Sequence, residues 1–430
     1  MKTIGIVSLG CAKNLVDSEA ILGMFPEDRF AVSQDPSKAD VIIINTCGFI
    51  ESAKRESIET ILEMASYKAK IVAVGCFVER NLEELKEEIP EVDLWVPLKD
   101  YPRLHILIEE LLGEKGLSPY DLSKRVISTS PWSSYLKISE GCDNMCAFCA
   151  IPYIRGRMVS RPLDEIMSEA KSLHEKGVKE ISLVSQDPMH YGLDFPKKKP
   201  GMLELLKELD QVGFESIRLL YLYPEEITDE ELLFIKNSRS IEPYFDIPIQ
   251  SASDKVLKLM NRHGTVEEMR LLFKKIDSMF PKKALRTTLI TGFPGETKSD
   301  HIKTMEFVKE IGFDHLGVFA YSREEGTAAY NRPNQVSFET KEKRRAEIMS
   351  LAKTISYEKN KARIGETMEG FVVAYDPKQK LYSLRSYWNA PDDIDGKIYF
   401  KSERPLKNGE RVKVKIERAF VYDLMGVAIE

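Results

Sequence analysis

Cysteine is scarce, long apolar runs are missing, and neither sign of charge dominates in this 430-residue chain. Lys plus Arg number 62 against 68 for Asp plus Glu, a formal net charge of -6, so there is no global basic footprint for nucleic acid and only a local patch could serve it. The wholly aliphatic run Val41 to Ile44, which none exceeds in length, falls far short of the roughly 20 residues a spanning helix needs. The apolar start of MKTIGIVSLGCAKN is too short for a secretory h-region and reads on into a strand. A cytoplasmic protein without membrane insertion is expected. No low-complexity tract occurs, and 43% hydrophobic with 30% charged residues describes a folded globular chain. Six cysteines in so long a chain fit ligands or catalysts in a reducing compartment better than a disulfide framework. The six histidines show no ligand spacing and are expected to be ordinary surface or core residues.

At about 150 residues per domain the length predicts three domains. In residues 1–115, the β-rich runs KTIGIVSL, ADVIIINT, KIVAVG and VDLWV alternate with helical ones such as ESAKRESIETILEMASY, the pattern of a parallel α/β sheet covered by helices. Cys11, Cys47 and Cys76 each follow one of these strands. Open parallel sheets bind ligands outside their carboxyl ends, so cysteines about 30 residues apart can converge there. Inert core cysteines are the alternative. Residues 116–133, GLSPYDLSKRVISTSPWS, lack periodicity and read as a linker. Residues 134–363 hold six βα-like units, which predict a partial (β/α)6 TIM-like barrel with function at the strand carboxyl ends. The charged stretch Glu339 to Arg363 reads as a solvated connecting helix. Residues 364–430 change to short strands separated by turns, a small antiparallel, OB-like β-barrel. From Glu366 to Glu430 there are 11 acidic and 11 basic residues, a neutrality that favours a protein partner over tRNA.

GCDNMCAFCAIP, residues 141–152, sets Cys142, Cys146 and Cys149 at C-x3-C-x2-C spacing. Soft thiolates select zinc, copper(I) or iron-sulfur clusters, and three of them can cap three irons of a 4Fe-4S cubane while the fourth stays open for chemistry. Structural zinc needs a further ligand, and no histidine follows at finger spacing, the nearest downstream being His174. Gly292 to Thr297, GFPGET, joins a strand to a helix. It is either a plain turn or a place where backbone N–H groups approach a ligand. Arg155 and Arg157 either bind a carboxylate or phosphate, or are solvated.

With Phe148 before its last cysteine, the C-x3-C-x2-C motif resembles the signature of radical S-adenosylmethionine enzymes. That resemblance implies that S-adenosylmethionine chelates the open iron and, on reduction, yields a 5′-deoxyadenosyl radical. SLGCAKNLVDSE, NTCGFIESAKRESI, VGCFVER, ISEGCDNMCAFCAIPYIRGRMVSRP, DIPIQSASDKVLKLMNR and TTLITGFPGET together look like the methylthiotransferase family, over nearly the whole chain. The first two motifs are most similar to its RimO-type branch, which modifies an aspartate of small-subunit ribosomal protein twelve. The tRNA-modifying branches instead resemble TFGCQMN or TLGCKVN at the first motif. Ala12 stands where RimO-type sequences usually carry proline.

Several expectations follow from the resemblance. A second 4Fe-4S cluster would sit on Cys11, Cys47 and Cys76, and a TRAM domain would form the C-terminus. S-adenosylmethionine would serve twice, as methyl donor and as radical source, to methylthiolate the aspartate β-carbon; a tRNA adenosine is the alternative target. Glu140, Gly141, Phe148, Ser185, Gln186, Gly292, Gly295 and Glu296 would lie around S-adenosylmethionine, although Asp187-Pro188 can equally just begin a turn. A one-electron reductant of flavodoxin or ferredoxin type, a sulfur donor and the ribosomal protein, held through the TRAM domain, are the implied partners. No catalytic side chain is assigned.

Overall fold

The apolar run Val41–Thr46 is a strand buried along its whole length, as a parallel strand must be when helices cover both faces. The computed structural model describes residues 1–391 and 394–429. Its first unit is an all-parallel sheet of β1 (Lys2–Ser8), β2 (Phe30–Val32), β3 (Val41–Thr46), β4 (Lys70–Gly75) and β5 (Leu94–Val96), in the order β2-β1-β3-β4-β5. The three-residue β2 is too short to leave an alternating pattern and was not expected. Helices α1 (Ala12–Leu22) and α4 (Leu104–Leu112) pack on one face against Ile4, Ile43 and Val72. Helices α2 (Glu51–Ala65) and α3 (Cys76–Glu88) pack on the other against Ile42, Ile44 and Ala73. This strand order turns back between β1 and β3, which opens a crevice outside their carboxyl ends.

The second unit carries β6 (Ser133–Lys137), a short antiparallel hairpin of β7 (Ser139–Glu140) and β8 (Val159–Ser160), then β9 (Glu180–Val184), β10 (Ser216–Leu219), β11 (Tyr244–Asp246), β12 (Ala284–Thr291) and β13 (His315–Ala320). Parallel ladders join β6, β9 and β10, and likewise β11, β12 and β13. A parallel bridge from Ile217 to Ile241 links the two sets, so six parallel strands follow one another in chain order as an incomplete barrel. Thr228, Thr265 and Thr297 each accept a backbone N–H three residues on, and Glu231, Glu268 and Asp300 bond back to them. These capping boxes start the helices that return the chain to the next strand.

Residues 116–133 are not a free tether. Leu117 and Trp132 are buried, the Tyr120 hydroxyl donates to Asp17 at 2.9 Å, and the fully enclosed Arg125 binds Glu19, Glu169 and the Tyr135 carbonyl. Aperiodic sequence here means anchoring by single side chains rather than looseness. The helix Phe338–Ala362 is mostly solvated, yet Ile348, Ala352, Ser356 and Asn360 are buried along one side. Asn360 donates to the carbonyls of Phe420 and Val421, and so fixes the helix to the third unit.

That third unit is a closed barrel of β14 (Thr367–Asp376), β15 (Leu381–Ser386), β16 (Ile398–Lys401), β17 (Arg411–Ala419) and β18 (Leu424–Ile429), in the order β14-β15-β16-β18-β17. From Arg411 to Ile416 exposed and buried residues alternate strictly, the period of a strand with one face in a core. Trp388 is fully buried between this barrel and the amino ends of the larger barrel's strands. The His315 ring bonds the Trp388 carbonyl at 2.7 Å, Arg218 donates to the Ser386 carbonyl at 2.9 Å, and Arg385 reaches Glu180 at 2.7 Å. Among the described residues no helix is long and apolar enough to cross a membrane. Trp388→Ala is expected to destabilise the chain by about 3–5 kcal/mol, read as a lower denaturant midpoint in fluorescence-monitored unfolding.

Candidate active site

The crevice of the first sheet gathers three thiols. Gly10, at φ 85°, turns the chain from β1 into α1, and a Cβ there would stand 2.8 Å from the Cys47 sulfur. Cys11 sits at the N-cap of α1, Cys47 directly follows β3, and Cys76 is the first residue of α3. Asn14 ties these turns together. Its amide donates to the Leu9 and Thr46 carbonyls, both at 3.0 Å, and its oxygen lies 3.5 Å from the Cys76 sulfur. Burial pushes the Cys76 thiol up to about 12 and raises that of Cys47. Cys11 keeps an accessible face but stands deep among protein atoms, which works against its thiolate; Lys13 and Arg155 outweigh this and leave its pKa lowered.

The second triad lies in the loop between β7 and β8. Gly141, at φ 74°, passes so close to the backbone at Arg157 that a Cβ would meet that carbonyl oxygen at 2.1 Å. Cys142 and Cys146 are buried, and Cys149 is half-buried. The loop closes through Cys142 N–H to the Gly156 carbonyl at 3.2 Å and Cys149 N–H to the Cys146 carbonyl at 2.9 Å. The Asn144 amide donates to Asp187 at 2.5 Å and lies 3.6 Å from the Cys142 sulfur, while the Tyr223 hydroxyl stands 3.7 Å from Cys146. Burial pushes Cys142 up to about 11 and Cys149 up to about 12, so these thiols lose their protons only when a cation joins them.

Each triad offers three thiols, the donor set that takes three irons of a 4Fe-4S cubane. Among the described residues, Asp187, His190 and Glu226 also bring ligand atoms within 4.8 Å of one another.

Between the triads runs a buried chain of charge. Arg155 donates from Nε to the Cys76 sulfur at 3.2 Å, from Nη1 to Glu140 at 2.7 Å, and from Nη2 to Asn14 at 2.5 Å and Asp17 at 3.0 Å. Lys137 reaches Asp17 at 2.6 Å and Glu140 at 2.5 Å. Burial opposes a Glu140 carboxylate, but Arg155 and Lys137 overcome it and hold the carboxyl far below the usual range. The two arginines of YIRGR therefore part company: Arg155 is enclosed, whereas Arg157 is largely solvated beside Asp143.

The remaining expected residues fall around the barrel mouth. Gln186 donates to Glu140 at 2.9 Å, and the Ser185 hydroxyl and the side-chain amide oxygens of Gln186 and Gln250 are buried without a protein partner. Glu296 accepts from Gly292 N–H at 2.5 Å and pairs with Arg344 at 3.1 Å, so it stiffens its own loop, which Gly295 also shapes at φ 86°. Asp187 accepts from Met189 N–H and begins a turn. His190 lies 3.2 Å from Asp187 and 2.5 Å from Glu226, a pairing that linear spacing does not reveal. Phe148 stacks edge-on to Phe293 at 6.5 Å and lines a cavity of about 830 Å³ with Phe49, Ile50, Gln250, Phe319 and Tyr321. That cavity borders both cysteine-bearing loops. Lys13, Asn14 and Asn144 sit in the quoted motifs, but nothing in their spacing marks them as parts of the site.

A three-cysteine loop at the mouth of an incomplete parallel barrel, facing a second three-cysteine crevice, defines a radical S-adenosylmethionine enzyme with an auxiliary cluster domain. Residues 3–97 match the uncharacterized protein family UPF0004, residues 136–308 the Radical SAM superfamily and residues 364–429 the TRAM domain. The ribosomal protein uS12 methylthiotransferase RimO of Acetivibrio thermocellus is 46% identical over 448 residues, covering 100% of this chain and 98% of that protein. Its counterpart in Aquifex aeolicus is 45% identical over 98% of this chain and 96% of its own length. The chain belongs to this RimO family. Among solved structures, the radical S-adenosylmethionine methyltransferase TsrM from Kitasatospora setae shares the fold, with a TM-score of 0.56 at 13% identity over 88% of this chain and 82% of that one.

Arg155→Met is expected to lower stability by about 3–5 kcal/mol, because it strips a buried network of its cation. Arg157→Met should change stability by less than about 0.5 kcal/mol. Urea unfolding of both variants beside the parent chain checks the contrast.

Proposed function

We propose that this chain methylthiolates the β-carbon of an aspartate in ribosomal protein uS12. The observation that carries the reading is the pair of three-thiol sites spanned by one buried guanidinium. Cys142, Cys146 and Cys149 hold one 4Fe-4S cluster, and Cys11, Cys47 and Cys76 hold the other. When bound, the first supplies an adenosyl radical from S-adenosylmethionine and the second presents sulfur. The chain supplies position and dryness. Ser185, Gln186 and Gln250 offer buried, unpartnered polar atoms to S-adenosylmethionine at the carboxyl ends of the barrel, and Phe148 provides an apolar wall. Gly292 to Gly295 brings backbone rather than side chain close to that ligand, with Glu296 bracing the turn. Glu140, already saturated by Arg155, Lys137 and Gln186, orients this edge of the site and transmits its position to Cys76. The C-terminal barrel docks the ribosomal protein, and a flavodoxin- or ferredoxin-type reductant and a sulfur donor complete the cycle in the cytoplasm.

Anaerobically reconstituted protein is expected to hold about eight irons, and triple alanine replacement of either triad about four. Loss of Cys142, Cys146 and Cys149 should abolish cleavage of S-adenosylmethionine. Loss of Cys11, Cys47 and Cys76 should leave cleavage intact and stop methylthiolation. Mass spectrometry of uS12 and of tRNA from a deletion strain decides the target: an unmodified tRNA beside a normal uS12 would overturn the protein reading.

A further inference from the structure

Three buried cations meet where the first unit packs on the barrel, and two of them have carboxylates. Arg155 and Lys137 share Asp17 and Glu140. Lys13 has none: its ammonium donates to the Ser185 carbonyl at 3.3 Å and lies 4.2 Å over the Tyr221 ring, and among the described residues no carboxylate pairs with it. A lysine ammonium has three hydrogens; Lys13 gives one to a carbonyl and turns its charge toward the Cys11 thiol, and no carboxylate takes the others. Tyr221 is also held in an unfavourable left-handed conformation, φ 66°, with its N–H fixed by Asp246 at 3.0 Å. Backbone strain of this kind gathers at ligand sites.

The place of the ammonium matters as much as its lack of a carboxylate. Lys13 rises from the first turn of α1, yet its tip lies against the carboxyl ends of β9 and β10. Its backbone follows Cys11 by two residues, and its tip meets Ser185, two residues before the Asp187 that bonds Asn144 in the second triad's loop. An anion that paired with Lys13 would thus stand between the radical-forming site and the sulfur-presenting site.

We infer that Lys13 is the residue that receives the side-chain carboxylate of the target aspartate and so selects an acidic substrate; this rests on the reading of the chain as an aspartate methylthiotransferase. The β-carbon is bonded directly to the carboxylate carbon, so fixing the carboxylate fixes the reacting atom to within one bond. Asp17 and Glu140 are paired with Arg155 and Lys137. The Tyr221 ring and the Ser185 carbonyl hold the ammonium in place beforehand, which reduces the ordering that binding would otherwise demand.

The test uses reconstituted holoenzyme and two peptides spanning the target segment of uS12, one with aspartate and one with asparagine at the target. Dissociation constants are measured anaerobically by calorimetry, with KM and kcat alongside. The parent chain should prefer the aspartate peptide by about tenfold or more, the scale of one charge-assisted hydrogen bond. In Lys13→Met the preference should vanish, through loss of affinity for the aspartate peptide alone. Lys13→Arg should keep a preference, and the peptide comparison on the parent chain needs no folded variant. Equal weakening of both peptides in Lys13→Met, or an unchanged preference, would overturn the inference. A parent chain that modifies tRNA and leaves uS12 untouched would instead sink the functional reading, and this inference with it.

Discussion

A guanidinium sealed from water, with hydrogen bonds to a cysteine sulfur, two carboxylates and an asparagine, fixes how far apart the two three-cysteine sites can stand. An arginine so placed cannot lose its charge, and Cys76, Asn14 and Asp17 would lose its hydrogen bonds if the two units slid apart. The planar fork also has direction, so it controls angle as well as distance. Asp17 and Lys137 extend the same network along α1 and β6, which makes the interface between the units a polar lock rather than an oily one. Such a lock adds little net stability. It does restrict the units to one relative arrangement, which chemistry shared between two sites requires.

The backbone topology makes that lock possible. A five-stranded parallel sheet whose order turns back at β1 and β3 leaves its ligand crevice beside those two strands, and Cys11 and Cys47 are the residues that follow them. The barrel presents its own working face at the carboxyl ends of its strands. Placing the two working faces against each other puts helix α1, with Lys13, Asn14 and Asp17 in its first two turns, into the seam. Each residue there serves both units: Asn14 braces the sheet's loops and meets Arg155, and Asp17 holds two cations of the barrel.

Much of this was legible before any coordinates. Strand alternation predicted the sheet, the barrel and the small C-terminal barrel, because burial on both faces or on one leaves a periodic trace in residue choice. Strand ends singled out Cys11, Cys47 and Cys76. What escaped was whatever depends on one side chain meeting another across the fold. Lys13 finds Ser185 172 positions away, and nothing in SLGCAKN announces it. Residues 116–133 looked like a tether because a single arginine and a single tryptophan, rather than a repeating stripe, pin them down. Arg155 and Arg157 were indistinguishable in YIRGR, and only packing divides the locked one from the solvated one.

The plug formed by Tyr387, Trp388 and their neighbours closes the amino ends of the barrel strands, with Tyr244 bonded to Asp395 at 2.7 Å and Arg286 between Asp246 and Asp395. A polypeptide therefore cannot thread the barrel from end to end. It reaches the reacting atoms from the carboxyl-end side, so the target side chain has to project from its own fold. Accessibility of the target in its folded, assembled setting then becomes a selection rule of its own, independent of the residues that flank it.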